Sequence, residues 1–246
     1  MQKTKHILFA FALIFALSKS TNAQLFQATI NAGLNLSQIE GDQVSGFRNA
    51  GFTGGVGVMM PLQPSNLLGA WRASMEILYS QRGAYEKEAI STKAPFGYSL
   101  NLQYVDIPIM IHYKDPKIDF ILGLGLQYGR LIKMNEQWRL PEPPKLGFYR
   151  PLDITNLPSF NRNELSVVAD ARFGVWEKLK CSIRWQYGLT TIRPDVAFSN
   201  GVVPGTDGYF TGKRDYHSHW LTLRVVYVIN ERSSQEKDRT INRNRY

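Results

Sequence analysis

The chain has 246 residues, of which 43% are hydrophobic and 20% are charged, and it carries a formal net charge of +9. Cys181 is the single cysteine, so an internal disulfide is excluded. The basic residues form no dense cluster with interleaved aromatic residues, and nucleic acid is therefore not an expected partner.

The first 23 residues have the pattern of a secretory signal peptide. Lys3 and Lys5 precede the apolar run 7–17, and small residues follow up to Ala23. A basic start, an apolar run of about 7–15 residues and small residues before the cut describe such a signal. The run is shorter than the roughly 20 residues that a spanning helix needs. We predict a cleaved signal peptide, residues 1–23, and a mature chain without helical membrane spans.

Eight segments of the domain predicted over residues 24–230 alternate between apolar and polar residues, as half-buried strands do. The first is the clearest, because every even-numbered residue from Phe26 to Leu36 is apolar. Each segment is about as long as the 9–11 residues of a tilted membrane strand. The predicted strands are 26–37, 51–60, 71–81, 98–113, 120–133, 164–175, 179–189 and 220–229.

The apolar faces of these segments are rich in aromatic residues, which form girdles at the two membrane interfaces of such barrels. We expect Tyr104 and Trp220 to lie in these girdles. In the fourth segment the apolar set changes phase between Tyr104 and Val105, close to Pro108. Since proline cannot donate to a strand ladder, this change predicts a bulge in the fourth strand.

The connections between the segments are of two kinds. Segments 61–70, 114–119 and 176–178 are short, whereas most of the alternate connections are much longer. Outer-membrane barrels have short periplasmic turns and long extracellular loops. We therefore predict an all-β fold, an eight-stranded antiparallel, up-and-down transmembrane β-barrel in the outer membrane of a Gram-negative cell. A periplasmic sandwich or a lipocalin-like barrel is the alternative.

The polar faces of the predicted strands carry four acids and five bases. An eight-stranded barrel has an interior just wide enough for side chains to fill, and unpaired buried charge is costly. We predict a structural network of salt bridges, with partners on the sixth and seventh strands, rather than an open channel. Its candidate members are Arg72, Glu76, Asp106, Glu164, Asp170, Arg172, Lys180, Arg184 and Arg224.

His217, Ser218 and His219 precede the predicted eighth strand. Two histidines at i and i+2 point the same way on an extended chain and could share a metal ion, with Asp215 nearby. They suit an aromatic girdle equally well. The serine lies between the histidines and not in the spacing of a known hydrolase, so we predict no catalytic, metal or cofactor-binding residue.

Residues 231–246 lack apolar periodicity and are rich in arginine and lysine. This composition is typical of a disordered extension, here expected in the periplasm. A contact with anionic lipid or with a periplasmic partner is the alternative.

Six short motifs belong together: Gly33–Ser37, Glu40–Asp42, Gly51–Gly55, Glu76–Ala84, Tyr104–Ile109 and Ile121–Gly125. They resemble motifs of the PorT-like outer-membrane β-barrel family of the Bacteroidetes. The resemblance covers residues 24–132 well and the remainder only by strand pattern. It implies a small outer-membrane barrel from a family whose members mostly have no known activity. The namesake takes part in a secretion and gliding-associated export system, but no residue here carries that role over.

Together these observations favour a non-enzymatic, monomeric barrel with a structural or binding role of its extracellular loops. The expected partners are outer-membrane lipid, including lipopolysaccharide or lipooligosaccharide, and an envelope or secretion protein. A narrow ion or solute channel and a lipid-modifying enzyme at the barrel rim are the alternatives.

Overall fold

The computed structural model describes residues 26–42, 46–62, 70–86, 97–115, 118–139, 150–151, 157–176, 178–202 and 209–229. The predicted signal peptide and the C-terminal tail lie outside these ranges. No helix long and apolar enough to cross a membrane occurs in the described ranges. The strands are β1 (Gln27–Glu40), β2 (Asn49–Pro61), β3 (Ala70–Glu86), β4 (Gly97–Lys114), β5 (Phe120–Arg139), β6 (Arg150–Pro151), β7 (Asn163–Gly174), β8 (Leu179–Gly188), β9 (Arg193–Val202) and β10 (Tyr209–Val228).

Eight of these strands close into one antiparallel barrel. The order of pairing is β1-β2-β3-β4-β5-β7-β8-β10, and β10 pairs with β1 in turn, for example Gly33 with Arg224. The predicted eight-stranded antiparallel barrel is therefore confirmed. The other two strands add a small sheet at one end, where β9 pairs with the first part of β10 and β6 pairs with β9.

The side chains alternate between an apolar outer surface and a polar interior. On β5 the outward Leu122, Leu124 and Leu126 are 51%, 63% and 52% exposed, whereas the inward Gln127 is 1% exposed. This is the reverse of a water-soluble protein, and it is the arrangement of a barrel whose outer surface contacts hydrocarbon. A lipocalin-like barrel or a sandwich, with its apolar residues inside, does not fit it.

Aromatic pairs mark one end of the apolar surface. Trp71 packs on Tyr113 with ring centroids 5.3 Å apart, and Phe120 packs on Phe173 at 5.0 Å. We call this the short-turn end, because β4 ends and β5 begins there, as do β7 and β8. The opposite end is the long-loop end.

At the long-loop end the strands are longer than the sequence pattern predicts. β3 continues to Glu86, and the predicted loop 190–219 contains β9 and the first half of β10. The lipid-facing pattern stops earlier because outward residues such as Gln81 and Arg130 are polar. Beyond it the strands continue as antiparallel pairs, such as β3 with β4 up to Glu86 and Tyr98.

The predicted phase change in the fourth strand is wrong. Leu100, Leu102 and Tyr104 face inward and are fully buried, and β4 keeps one phase up to His112. The pairing of β4 with β5 is irregular instead at Ile132, because Gln103 pairs with Lys133 and Tyr104 with Leu131. The physical reason is that the interior turns apolar at this end, so apolar residues do not mark the outer face there.

Candidate functional site in the barrel lumen

Five charged side chains fill the middle of the lumen and form the central ionic cluster: Glu76, Asp170, Arg172, Arg184 and Arg224. Each is at most 5% exposed. The Glu76 carboxylate accepts hydrogen bonds from Arg172 at 3.0 Å, from Arg184 at 3.1 Å and from Arg224 at 2.7 Å. Asp170 lies 2.8, 3.2 and 2.9 Å from the same three guanidinium groups. Two carboxylates therefore hold three arginines together.

Strand register and glycines bring these side chains together. Asp170 pairs directly with Arg184 across β7 and β8, while Glu76 reaches over from β3. A Cβ on Gly57 would lie 2.8 Å from Cγ of Glu76, and a Cβ on Gly33 would lie 2.5 Å from Cβ of Arg224. Both strands thus carry glycine where a side chain would displace a member of the cluster.

A second group lies nearer the long-loop end and centres on Arg82. Its guanidinium donates to Asp106 at 3.0 Å and to Glu164 at 2.8 Å. The guanidinium carbon also lies 3.7 Å from the ring centre of Tyr104 and 4.0 Å from that of Trp220. Tyr104 and Trp220, which we expected in the outer girdles, thus face inward and hold this arginine by cation–π contacts.

Arg82 is the important residue that the sequence analysis missed, because it lies in the predicted loop after the third strand. The alternation of inward and outward residues in the sequence does indicate this position. Arg82 keeps the inward phase of Ser74, Glu76 and Ser80, so extending the alternation past the last outward apolar residue would have placed it in the lumen.

The two groups balance each other in charge. The central cluster has one arginine in excess, and the Arg82 group has one carboxylate in excess. A cavity of about 10 Å³, lined on its two sides by Asp106 and Arg184, separates them. That volume is about what one water molecule needs. The described lumen is therefore filled by side chains at both levels.

Apolar side chains close the lumen above Arg82, and we call them the apolar plug. Arg193 borders the plug, donates to Glu136 at 2.7 Å and lies 4.3 Å from the ring centre of Phe160. The plug consists of Ile39, Ala84, Tyr98, Leu100, Leu102, Tyr104, Phe160, Ile192, Val196 and Tyr216.

The remaining predicted members lie near the short-turn end. Arg72 donates to the side-chain oxygen of Gln27 at 3.0 Å. Lys180 and Lys114 both bind the Asp119 carboxylate, at 2.9 and 2.8 Å. Partial burial opposes ionisation of Asp119, but the two lysines outweigh it and hold the pKa of this carboxyl below its ordinary value.

The two histidines lie within β10 and not before the last strand, which corrects our expectation. Both point outward, while Ser218 between them faces inward and is 1% exposed. His219 Nε2 accepts a hydrogen bond from Trp185 at 2.7 Å, and its Nδ1 lies 3.2 Å from the Gln38 amide. The ring of His217 stacks on Tyr187. Among the described residues no group of three or more metal-ligating side chains occurs.

Solved structures of other membrane barrels resemble this chain weakly. Ail, the attachment invasion locus protein of Yersinia pestis, solved with the heparin analogue sucrose octasulfate, is 9% identical, with a TM-score of 0.36 over 83% of this chain and 99% of Ail. A major outer membrane protein from Thermus thermophilus is 12% identical, with a TM-score of 0.40 over 83% of this chain and 99% of that protein. Similarities of this size carry no information about function. Curated proteins gave no match.

The family assignment comes from the sequence. Residues 18–210 match the family described as "Outer membrane protein beta-barrel domain". This match covers most of the chain and agrees with the closed barrel, its apolar outer surface and its charged interior. The chain therefore belongs to the outer membrane protein beta-barrel domain family and is an outer-membrane β-barrel protein.

Proposed function

We propose that this protein is a closed, non-enzymatic barrel that acts through its long-loop end, as a binding or interaction module facing outside a Gram-negative cell. The observation that carries the proposal is the filled lumen. The central ionic cluster, the Arg82 group and the apolar plug follow one another along the barrel axis. Within the described ranges, the parts left to contact a partner are the rims and the extended strands β3, β4, β5, β9 and β10.

A narrow channel is disfavoured by the same packing. An ion on the axis would have to separate Glu76 or Asp170 from arginines that they bind at 2.7–3.2 Å. Removing one partner of such a buried pair costs several kcal/mol. We expect no conductance steps from the purified protein in planar bilayers, in a preparation where an open porin gives them. Discrete steps that scale with the amount of folded protein would overturn the proposal.

A lipid-modifying enzyme at the rim is disfavoured by the geometry of β10. A serine nucleophile needs a base within hydrogen-bond reach. Ser218 faces the lumen, whereas His217 and His219 face outward. We expect His217→Ala and His219→Ala to leave the lipid A mass spectrum of the producing cells unchanged. A change in acylation that disappears in either variant would favour the enzyme.

The finer assignments extend this proposal. We infer that residues 1–23 are removed on export, that residues 231–246 lie in the periplasm and that the barrel is a monomer of the PorT-like type. The motifs of the first five predicted strands support the PorT-like assignment, and an envelope or secretion protein is the expected partner. Intact-mass measurement of the exported protein tests the cleavage after Ala23. Affinity purification from native membranes tests the partner.

A further inference from the structure

A groove opens at the long-loop end of the barrel, beside the upper part of β5. Above the paired residues Arg130 and Asn163, β5 continues without β7, and residues 157–162 cross beside it. Leu131 N donates to the carbonyl of Arg162 at 2.7 Å, which fixes this crossing. The groove between them has a volume of about 410 Å³. That is within the range of about 300–1,000 Å³ found for small-ligand sites.

Contacts of Arg193 hold the floor of the groove together. Arg193 is 4% exposed, donates through Nε to the carbonyl of Pro158 at 2.6 Å and packs on Phe160. Its ion pair with Glu136 ties the crossing segment to β5. The groove is therefore preformed rather than assembled by a ligand.

Three exposed cations surround the groove. Lys133 on β5 and Arg162 on the crossing segment line the groove. Arg130 lies next to this lining on β5, and its guanidinium donates to Oδ1 of Asn163. None of the three forms an ion pair with a carboxylate of the described residues, whereas Lys114, Lys180 and the lumen arginines do. An unpaired cationic rim of this kind attracts anionic groups.

Apolar side chains lie at the same level. The outward residues of β5 are lipid-facing up to Tyr128 and turn cationic at Arg130. Beyond the irregular pairing at Ile132, the exposed Ile132 and Met134 (57% and 45%) line the groove, Met134 from the face of β5 that pairs with the inward Leu102. A soluble anion would leave these apolar side chains uncovered, and a neutral lipid would leave the three cations unmatched. The occupant that satisfies both is an anionic amphiphile held at the bilayer surface.

We propose that this groove binds a phosphorylated glycolipid of the outer leaflet, with its phosphate on Arg130, Lys133 and Arg162 and its apolar part against Ile132 and Met134. Arginine and lysine are the side chains that bind phosphate best in proteins. The inference rests on the membrane orientation of the proposed function, which places the long-loop end outside the cell.

The test uses the full mature protein in nanodiscs of neutral lipid to which diphosphoryl lipid A is added. Bound lipid A is counted by native mass spectrometry. Each cation near a charged surface contributes about 1 kcal/mol. Replacing all three by glutamine (Arg130→Gln, Lys133→Gln, Arg162→Gln) should therefore weaken retention by about a hundredfold.

A matched variant removes three positive charges elsewhere: Lys178→Gln, Lys213→Gln and Arg214→Gln. It should retain lipid A within about twofold of the wild type, since non-specific attraction falls equally in both variants. Equal retention by the two triple variants would overturn the proposal. Heat-shifted migration on gels shows that each variant has folded.

Two further arms identify the ligand chemistry. Lipid A without phosphates and phosphatidylglycerol should each bind at least tenfold more weakly than diphosphoryl lipid A. Equal binding of the dephosphorylated lipid would overturn the role of the phosphate, and equal binding of phosphatidylglycerol would overturn the assignment to a glycolipid. Ile132→Asn with Met134→Asn should weaken lipid A retention without changing the salt dependence.

The same samples separate this proposal from the closed-barrel proposal. Conductance steps would overturn the closed barrel and leave the lipid result standing. Failure to retain lipid A, with no conductance, would overturn the glycolipid site alone.

Discussion

Glu76 is the residue whose replacement tests the central ionic cluster most directly. It is 2% exposed and contacts Arg172, Arg184 and Arg224. In Glu76→Gln the three arginines share only the carboxylate of Asp170, and the excess positive charge of the cluster doubles. Removing one partner of a buried ion pair costs about 3–5 kcal/mol. We expect a loss of this size in the free energy of unfolding.

The measurement is urea-dependent unfolding and refolding in lipid vesicles, followed by tryptophan fluorescence. Asp195→Asn is the matched control, because Asp195 forms an ion pair with Lys213 in which both side chains are mostly exposed, 67% and 70%. Such a pair contributes at most about 1 kcal/mol. Asparagine also tolerates the positive φ of 54° at this position.

A second variant tests the same charge balance if Glu76→Gln alone folds poorly. Adding Arg184→Met restores the charge excess of the wild type, and we expect it to recover at least about 1 kcal/mol of the loss. If Glu76→Gln costs no more than Asp195→Asn, the lumen charges do not stabilise the barrel and the reasoning is refuted.

Three other predictions concern the outer surface, the lumen wall and the short-turn end. Gly123→Ala should cost about 1–3 kcal/mol in urea unfolding, because its Cβ would lie 2.2 Å from Nδ1 of His112. Cys181 is exposed and pairs with the outward Val225 and Phe173, so it faces lipid. In vesicles a membrane-soluble maleimide should label it, and a charged maleimide should not. As the control, Lys213→Cys in a Cys181→Ser chain should react with the charged reagent. In the folded protein the pKa of the Asp119 carboxyl lies below its ordinary value of 3.8. The carboxylate therefore stabilises the fold fully above about pH 3.8, and this stabilisation is lost as the pH falls further. In Asp119→Asn, the free energy of unfolding should no longer show this loss at acid pH.

Each of these has an outcome that contradicts it. Gly212→Ala is the control for the glycine, since nothing lies within 4 Å of its Cβ, and equal effects at the two glycines would contradict the packing argument. Rapid labelling of Cys181 by the charged reagent would mean that this residue of β8 does not face lipid. An unchanged acid profile in Asp119→Asn would mean that Lys114 and Lys180 do not stabilise the carboxylate.

The membrane-spanning half of the fold could be predicted from the sequence because each strand meets two different environments. β7 was predicted as 164–175 and lies at Asn163–Gly174, and its inward Asp170 and Arg172 were assigned to the correct face. Where lipid covers one face and charge fills the other, alternation alone identifies strand and side.

The long-loop half could not be predicted in this way because the environments change there. Leu100 and Leu102 face an apolar plug inside the barrel, so their hydrophobicity no longer marks the lipid side. Local sequence patterns also do not identify the partners of Arg82, because Glu164 lies 82 residues further along the chain. Such contacts follow from closure of the barrel and from its register, which alternation does not specify.

The reach of Glu76 sets an order of events for biogenesis. Its arginine partners follow it by 96, 108 and 148 residues, on β7, β8 and β10. A hairpin of β3 and β4 that entered the bilayer early would carry Glu76 without its three arginine partners. Since an unpaired buried carboxylate is costly, we expect the barrel to insert as a nearly complete ring and not hairpin by hairpin.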